Sequence, residues 1–494
     1  MNYISTRDKS VKVTAAAAIA QGISNEGGLF VPDTFPALSN NDFISLSQMD
    51  YKRRAKFILK YFLNDFTDEE IDYCVDGAYT GSFDNDQPAP ISLIGKNANI
   101  LELWHGPTCA FKDLALQLLP YLLTTSAKKV NNGKKTVILV ATSGDTGKAA
   151  LEGFKDVPNT EILVFYPSEG VSPMQKLQMA SQKGDNVHVC AINGNFDDAQ
   201  TGVKKIFTNN DIKETLAENG MLFSSANSIN WGRLAPQIVY YVSAYCDMID
   251  REDMADGFNV VVPTGNFGNI LAAYYAKKMG VPINRLICAS NANNVLTDFI
   301  NTGKYDRNRD FYTTISPSMD ILISSNLERM LFELCGNNDT EVAALQASLS
   351  ENGTFTVSNT VKSAMGKLFW GGCCDDRATV ETIGKLFSEY GYLCDTHTAV
   401  AMNVYEQYVN TTGDDRPTVI ASTASPYKFA KSVLSAVTEK RAETEFDNVR
   451  LLNEVTGMEI PMPIKTLENA TVRFTEVCEK EEMLSAVYRA LGIK

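Results

Sequence analysis

Lys112 stands in the segment His105-Gly106-Pro107-Thr108-Cys109-Ala110-Phe111-Lys112-Asp113, just ahead of a helical pattern that begins near Leu114. Lysine is a poor choice for a helix start, because the aligned backbone dipoles favour negative charge there. In a desolvated pocket its amine would lose pKa and become a nucleophile able to form an imine with a carbonyl. By residue type alone it reads first as an exposed lysine, since lysines are among the side chains least often buried.

Three other segments share one composition: Thr142-Ser143-Gly144-Asp145-Thr146-Gly147, Pro263-Thr264-Gly265-Asn266-Phe267-Gly268-Asn269 and Ser422-Thr423-Ala424-Ser425-Pro426. Each follows an apolar run and precedes a helical pattern, which places it at the carboxyl end of a strand. That edge of an open α/β sheet binds ligands, because helix N-termini bring unpaired N–H groups together there. Glycines let the backbone approach an anion and supply positive φ. Any one of these turns is also what a sharp turn needs for itself; three in one chain point to an anion-binding edge. Neither glycine loop is a nucleotide motif. Thr142 takes the first glycine position of the spacing that ends in Gly147-Lys148, and neither loop holds GxGxxG.

The elements that must carry these turns follow from the alternation of apolar runs with helical patterns. Strands are expected at 136–141, 162–166, 187–192, 259–262, 286–289 and 418–421. Runs such as Val137-Ile138-Leu139-Val140 and Val260-Val261-Val262 suit strands buried on both faces, so the fold is expected to be α/β with parallel sheets. A stretch at 77–90 rich in Gly, Asp and Pro reads as a boundary. The expected division is an N-terminal, mostly helical domain over 1–90, a catalytic region over 91–445 with a smaller subdomain at roughly 130–230, and a C-terminal segment, 446–494, packing on that region. The region 301–389 is less regular, and no individual helix is assigned in it.

With 494 residues the chain exceeds one hydrophobic core. Its 45 basic against 59 acidic residues give a net charge of −14, which disfavours nucleic acid and anionic bilayers as partners. An anionic substrate must then be captured locally. The ten cysteines show no zinc-ligand spacing and suit small buried hydrophobes in a reducing compartment, so a cytoplasmic protein is expected. The alanine-rich stretch at 13–20 is too weakly hydrophobic for a secretion signal and reads as a helix.

From end to end the chain resembles the threonine synthase family of fold-type-II pyridoxal-phosphate enzymes. The resemblance is carried by Tyr3-Ile4-Ser5-Thr6-Arg7, Glu26-Gly27-Gly28-Leu29-Phe30-Val31-Pro32, the Lys112 segment, Ser143-Gly144-Asp145-Thr146-Gly147, Asn227-Ser228-Ile229-Asn230-Trp231-Gly232-Arg233, Gly265-Asn266-Phe267-Gly268-Asn269 and Asp395-Thr396-His397-Thr398-Ala399-Val400. It implies two open sheets with flanking helices and a lyase that makes L-threonine and phosphate from O-phospho-L-homoserine. A dehydratase or phospholyase on a related amino acid is the alternative, and a monomer or homodimer is expected.

Carried over by motif, the resemblance gives Lys112 the Schiff base with pyridoxal 5'-phosphate. Gly265, Asn266, Phe267 and Asn269 would cradle its phosphate, and Thr423 would face its ring nitrogen. Ser143, Gly144, Asp145 and Thr146 would take the substrate carboxylate. Asn230 and Arg233 are candidates for the substrate phosphate, because guanidinium suits a tetrahedral anion; Arg233 could instead serve a structural ion pair, and Lys176 is a more remote candidate. His105 and His397 keep family positions, His188 reads as core, and Ser425 stands where the family commonly has histidine, so the packing near the ring is expected to differ.

Overall fold

The apolar, β-branched runs of the sequence assemble into two sheets. The computed structural model describes every residue except Ser143, Gly170, Ala255 and Lys494. In the larger sheet the strands lie in the order Phe369–Cys373, Ile283–Ser290, Phe258–Pro263, Thr418–Ser422, Ala98–Glu102 and Ile91–Ile94. Neighbours run parallel except the final pair, which is antiparallel. The smaller sheet is all parallel, in the order Val477–Glu479, Val187–Asn193, Thr160–Pro167, Lys135–Ala141 and Met221–Ser224.

All six expected strands are present, each somewhat longer than the apolar run that announced it. Ala98–Glu102 and Phe369–Cys373 were not foreseen. The second carries Gly371 and Gly372, and a Cβ on Gly372 would lie 2.7 Å from the Trp370 ring and 2.9 Å from Val404, so packing rather than strand propensity sets its sequence.

At the N-terminus, Lys12–Val13, Tyr3–Ser5 and Phe30–Pro32 form a small antiparallel sheet beside the helices Ala15–Gln21, Asn40–Ser47, Tyr51–Phe62 and Asp68–Tyr79. The stretch at 13–20 thus contributes a helix with a mostly buried alanine face. Helix Tyr51–Phe62 buries Tyr51, Ala55, Ile58, Leu59 and Phe62, the spacing of one helical face, and Asp50 caps it by accepting from the Arg53 N–H. Gly77 belongs to helix Asp68–Tyr79 and not to a linker: a Cβ there would lie 2.4 Å from the Tyr121 ring.

The region 301–389 is more ordered than its sequence suggested. It holds the helices Leu327–Leu334, Asp339–Asn352, Asn359–Leu368 and Asp376–Tyr390, three of them capped by Asn338, Ser358 and Asp375. Helix Trp231–Met248 is buried on nearly every face, packed between the N-terminal helices and the larger sheet's helix Gly268–Lys278. No described helix is long and apolar enough to cross a membrane.

Candidate active site

Strands Ala98–Glu102 and Thr418–Ser422 are neighbours, so the loops at their carboxyl ends leave the sheet together. The Phe111 N–H donates to the Thr423 carbonyl at 2.9 Å and the Ser425 N–H to the Cys109 carbonyl at 3.1 Å. Asp113 closes the first loop by accepting from the Thr108 N–H at 2.8 Å and the Thr108 hydroxyl at 2.6 Å. Gly106 is required there, because a Cβ would lie 2.6 Å from Asp113. Burial pushes the Asp113 carboxyl up to about 6.

Lys112 is not the exposed lysine its type suggested, being only 9% accessible. Its Nζ lies 3.5 Å from Asp145 Oδ2 and 4.8 Å from the centre of the Phe111 ring. Burial is the main influence and brings the amine down to about 8; Asp145 opposes the shift, while Lys428 and Arg233 add to it. An amine so tuned is a nucleophile at modest pH.

Asp145 opens helix Asp145–Phe154 at the end of strand Lys135–Ala141. Gly144 takes φ 147°, and the Thr142 hydroxyl accepts from the Gly144 and Gly147 N–H groups, each at 3.0 Å. The first N–H groups of this helix, those of Asp145 and Thr146, have no intrahelical acceptor, the arrangement that suits an anion. Ser143, expected beside them, lies outside the described residues.

The Asp145 side chain does something the sequence did not suggest. Its Oδ1 lies 2.5 Å from Lys428 Nζ and accepts from Gln175 Nε2 at 2.9 Å, while its Oδ2 accepts from the Ser318 hydroxyl at 3.2 Å. Burial alone would raise this carboxyl, but Lys428 and Lys112 outweigh it and hold it well below the usual carboxylate range. A carboxylate so occupied would repel an anionic ligand, so of Asp145 only the backbone N–H suits the expected role. Sequence reasoning missed Lys428; its signal was a lysine between two aromatics just after the Ser-Thr-Ala-Ser-Pro turn.

The loop after strand Phe258–Pro263 turns through Phe267, whose φ of 63° is left-handed, into helix Gly268–Lys278. Residues 316–326 clamp it. The Ser324 hydroxyl donates to the Gly265 carbonyl at 2.8 Å and the Asn326 N–H to the Asn266 carbonyl at 3.0 Å. A Cβ on Gly265 would lie 2.7 Å from the Ser318 carbonyl oxygen. Asn269 accepts from the Tyr241 hydroxyl through Oδ1, and its buried Nδ2 has no acceptor among the described residues. Buried donors are nearly always paired, so this one is open to an acceptor supplied by a ligand at the helix end.

Thr423 is buried, and its hydroxyl has no hydrogen-bond partner among the described residues. The neighbouring Ser422 hydroxyl is instead engaged by Trp104 Nε1 at 3.1 Å and Thr398 Oγ1 at 3.0 Å. A buried amine of lowered pKa, an unpaired donor at a helix N-terminus and a spare neutral hydroxyl fit the aldehyde, phosphate and ring nitrogen of pyridoxal phosphate.

Arg233 is 5% accessible and has no carboxylate within ion-pair distance among the described residues. Only its Nη1 is engaged, donating to the Ala226 carbonyl at 3.0 Å. Burial lowers it to about 10, with Tyr240 opposing the shift, and the alternative of a structural ion pair is not realised among the described residues. Asn230 is committed to the fold. Its Nδ2 donates to the Ile19 and Ser225 carbonyls at 3.0 and 2.8 Å, and its Oδ1 caps Gly232 at 2.9 Å. Lys176 is exposed.

The histidines divide likewise. His397 lies 2.8 Å from Asp395 through Nδ1 and accepts from the Ser318 N–H at 3.1 Å, which fixes its proton on Nδ1. His105 lies 2.9 Å from Glu102. His188, expected in the core, is only partly buried and lies 3.1 Å from Glu161. Ser425 caps the turn Pro426–Phe429 that carries Lys428.

Three family models match the chain: threonine synthase N terminus over residues 2–79, pyridoxal-phosphate dependent enzyme over 94–355, and threonine synthase, C-terminal, over 398–487. Human threonine synthase-like 1 is 39% identical over 477 residues, 92% of this chain and 63% of that protein. The chain thus spans less than two thirds of the length of that relative. Pseudomonas aeruginosa threonine synthase is 37% identical, with 88% of this chain and 90% of the relative covered. The pyridoxal-phosphate-bound threonine synthase of Brucella melitensis superposes with a TM-score of 0.88 at 35% identity, covering 99% of each chain.

The fold and the family match define a fold-type-II, pyridoxal-phosphate-dependent enzyme. Within that class, the N-terminal and C-terminal matches and the full-length likeness narrow the assignment, and the chain belongs to the threonine synthase family.

Proposed function

We propose that the chain converts O-phospho-L-homoserine and water to L-threonine and phosphate. The observation that carries this reading is Arg233, a buried guanidinium with no carboxylate partner among the described residues, which contributes to lowering the pKa of Lys112. A desolvated cation is retained at such cost where a ligand brings the matching anion, and the fork of a guanidinium suits the oxygens of a phosphate ester.

Lys112 is the residue that would hold the cofactor, with Gly265, Asn266, Phe267 and Asn269 at its phosphate and the Thr423 hydroxyl at its ring nitrogen. When bound, pyridoxal phosphate stores the electrons left behind as protons leave carbon next to the amino group. The Lys112 amine would move protons at the substrate α and β carbons. The N–H groups of Asp145 and Thr146 orient the carboxylate, while Arg233 grips the phosphate and steadies the charge that grows as its bond to the γ carbon breaks. A proton is returned at the γ carbon and water adds at the β carbon. Asn230 serves this arrangement indirectly, by capping the helix that carries Arg233.

Incubation of cofactor-loaded protein with O-phospho-L-homoserine, following phosphate and amino-acid product together, tests the reading. Equal amounts of threonine and phosphate are expected. Phosphate with 2-oxobutanoate and ammonia would mean elimination without hydration, and no phosphate release would reject both.

A further inference from the structure

Lys428 is the charged group of the site to which the reading above gives no task. It lies in the turn Pro426–Phe429 and is 1% accessible. Its Nζ is 2.5 Å from Asp145 Oδ1 and donates to the Thr108 carbonyl at 3.0 Å. The other oxygen of Asp145 faces Lys112 at 3.5 Å. Two buried ammonium groups therefore share one carboxylate.

This arrangement answers a difficulty that a single pair would create. A buried ion pair is lost at high cost when one partner leaves, because the other charge is stranded in low dielectric. Lys112 must leave Asp145 whenever its amine is used, and a lone Asp145 would hold it back as an ammonium. Lys428 has no such duty and stays.

We propose that Lys428 is the positioning residue of the Lys112 amine: it holds Asp145 in an ion pair of its own, so that the carboxylate orients Lys112 without capturing it. The inference rests on Lys112 being the reactive amine. Other contacts also fix Asp145: Gln175 donates to Oδ1, and the Ser318 hydroxyl donates to Oδ2, the oxygen that faces Lys112, while the Ser318 N–H is held by His397 and, behind it, Asp395. The charged groups facing Lys112 are Asp145, Lys428 and Arg233, while Asp113 and Cys109 face Lys428 from the loop before it. Of these, Asp145 favours the protonated amine, and Lys428 and Arg233 oppose it.

The test is trace acetylation of the full-length protein with acetic anhydride, stripped of cofactor and read at Lys112 by mass spectrometry as pH is raised. The cofactor-loaded protein, in which Lys112 is shielded, is the control. K428M is expected to move the midpoint of reactivity upward by about one pH unit, cutting labelling at neutral pH about tenfold. K428R should leave the midpoint in place and D145N should lower it. An unchanged or lowered midpoint in K428M overturns the proposal. Should K428M not fold, K428Q, which keeps a donor for the Thr108 carbonyl, carries the same expectation. If neither folds, Lys428 belongs to the fold rather than to the amine, and the proposal fails. Equal labelling of Lys112 with and without cofactor would instead defeat the reading of Lys112 itself.

Discussion

The Phe111 amide donates to the Thr423 carbonyl at 2.9 Å, which ties the residue before the reactive lysine to the residue whose hydroxyl has no partner among those described. The backbone of Thr423 thus sets the lysine loop, and its side chain is left free for the proposed contact with the cofactor. The two roles are separable by T423V, which removes the hydroxyl and keeps the shape. Its melting temperature without cofactor should match that of the parent, and its cofactor affinity should fall about fivefold, the worth of one ordinary hydrogen bond. A titration of stripped protein with pyridoxal phosphate measures this, and unaltered affinity would remove Thr423 from the cofactor site.

The depressed pKa of Lys112 has consequences for both chemistry and stability. Its folded value of about 8 lies below the unfolded value of 10.5, so the unfolded chain holds the proton more tightly. Stability of the stripped protein should therefore rise with pH between about 8 and 10.5 and be lower beneath that window. K112M removes this penalty and should flatten that slope in urea melts repeated across pH. In the parent protein, the rate of cofactor capture should climb through pH 8 as the neutral amine appears. K112M should capture none covalently and lose turnover by at least about a hundredfold.

Arg233 sets function against stability. A desolvated guanidinium with one carbonyl partner weakens the fold, and R233M should raise the melting temperature or leave it unchanged. The same change should raise KM for the phosphorylated substrate by about ten- to a hundredfold, the range for losing a charged hydrogen-bond partner. Cofactor affinity should hold. If cofactor binding falls and KM does not, the guanidinium serves the cofactor phosphate and the substrate phosphate lies elsewhere.

The central strands and the turns at their carboxyl ends were legible because strands buried on both faces leave continuous apolar runs. Phe369–Cys373 was not, since its glycines answer to Trp370 and Val404, which are neighbours only in three dimensions. The helices of 301–389 could have been read from their ends: Asn338, Ser358 and Asp375 each cap a helix, and Gly353 and Gly391 close two of them in the left-handed region. In the site, Lys112, the Gly265 loop and Thr423 stood out by motif. Lys428 and the Asp145 carboxylate did not, because sharing one carboxylate between two lysines far apart in sequence is a property of loops that leave two different sheets. Burial has the same character: nothing in its sequence neighbours marks Arg233 as a cation with no carboxylate partner among the described residues.

The end of the C-terminal segment belongs to the smaller sheet, whereas Val449, Leu452, Ile464 and Leu467 pack in the apolar cluster of the larger one. Strand Val477–Glu479 pairs in parallel with Val187–Asn193, and helix Met483–Leu491 buries Met483, Ala486 and Val487 against the same apolar cluster. The fit is close: a Cβ on Gly202 would lie 2.2 Å from the Met483 sulfur. Deleting residues 475–494 would uncover both the hydrogen-bonding edge of Val187–Asn193 and this cluster, and an exposed edge strand recruits other chains. The truncated protein should melt earlier and aggregate on warming, by light scattering. The larger sheet carries Lys112 and the Gly265 loop and makes no pairing with the deleted strand, so truncated protein that stays soluble should still bind cofactor, with its loss concentrated at the carboxylate end of the site, where Asp145 begins its helix. Unchanged melting would show that the edge is dispensable and that the smaller sheet is complete with its four remaining strands.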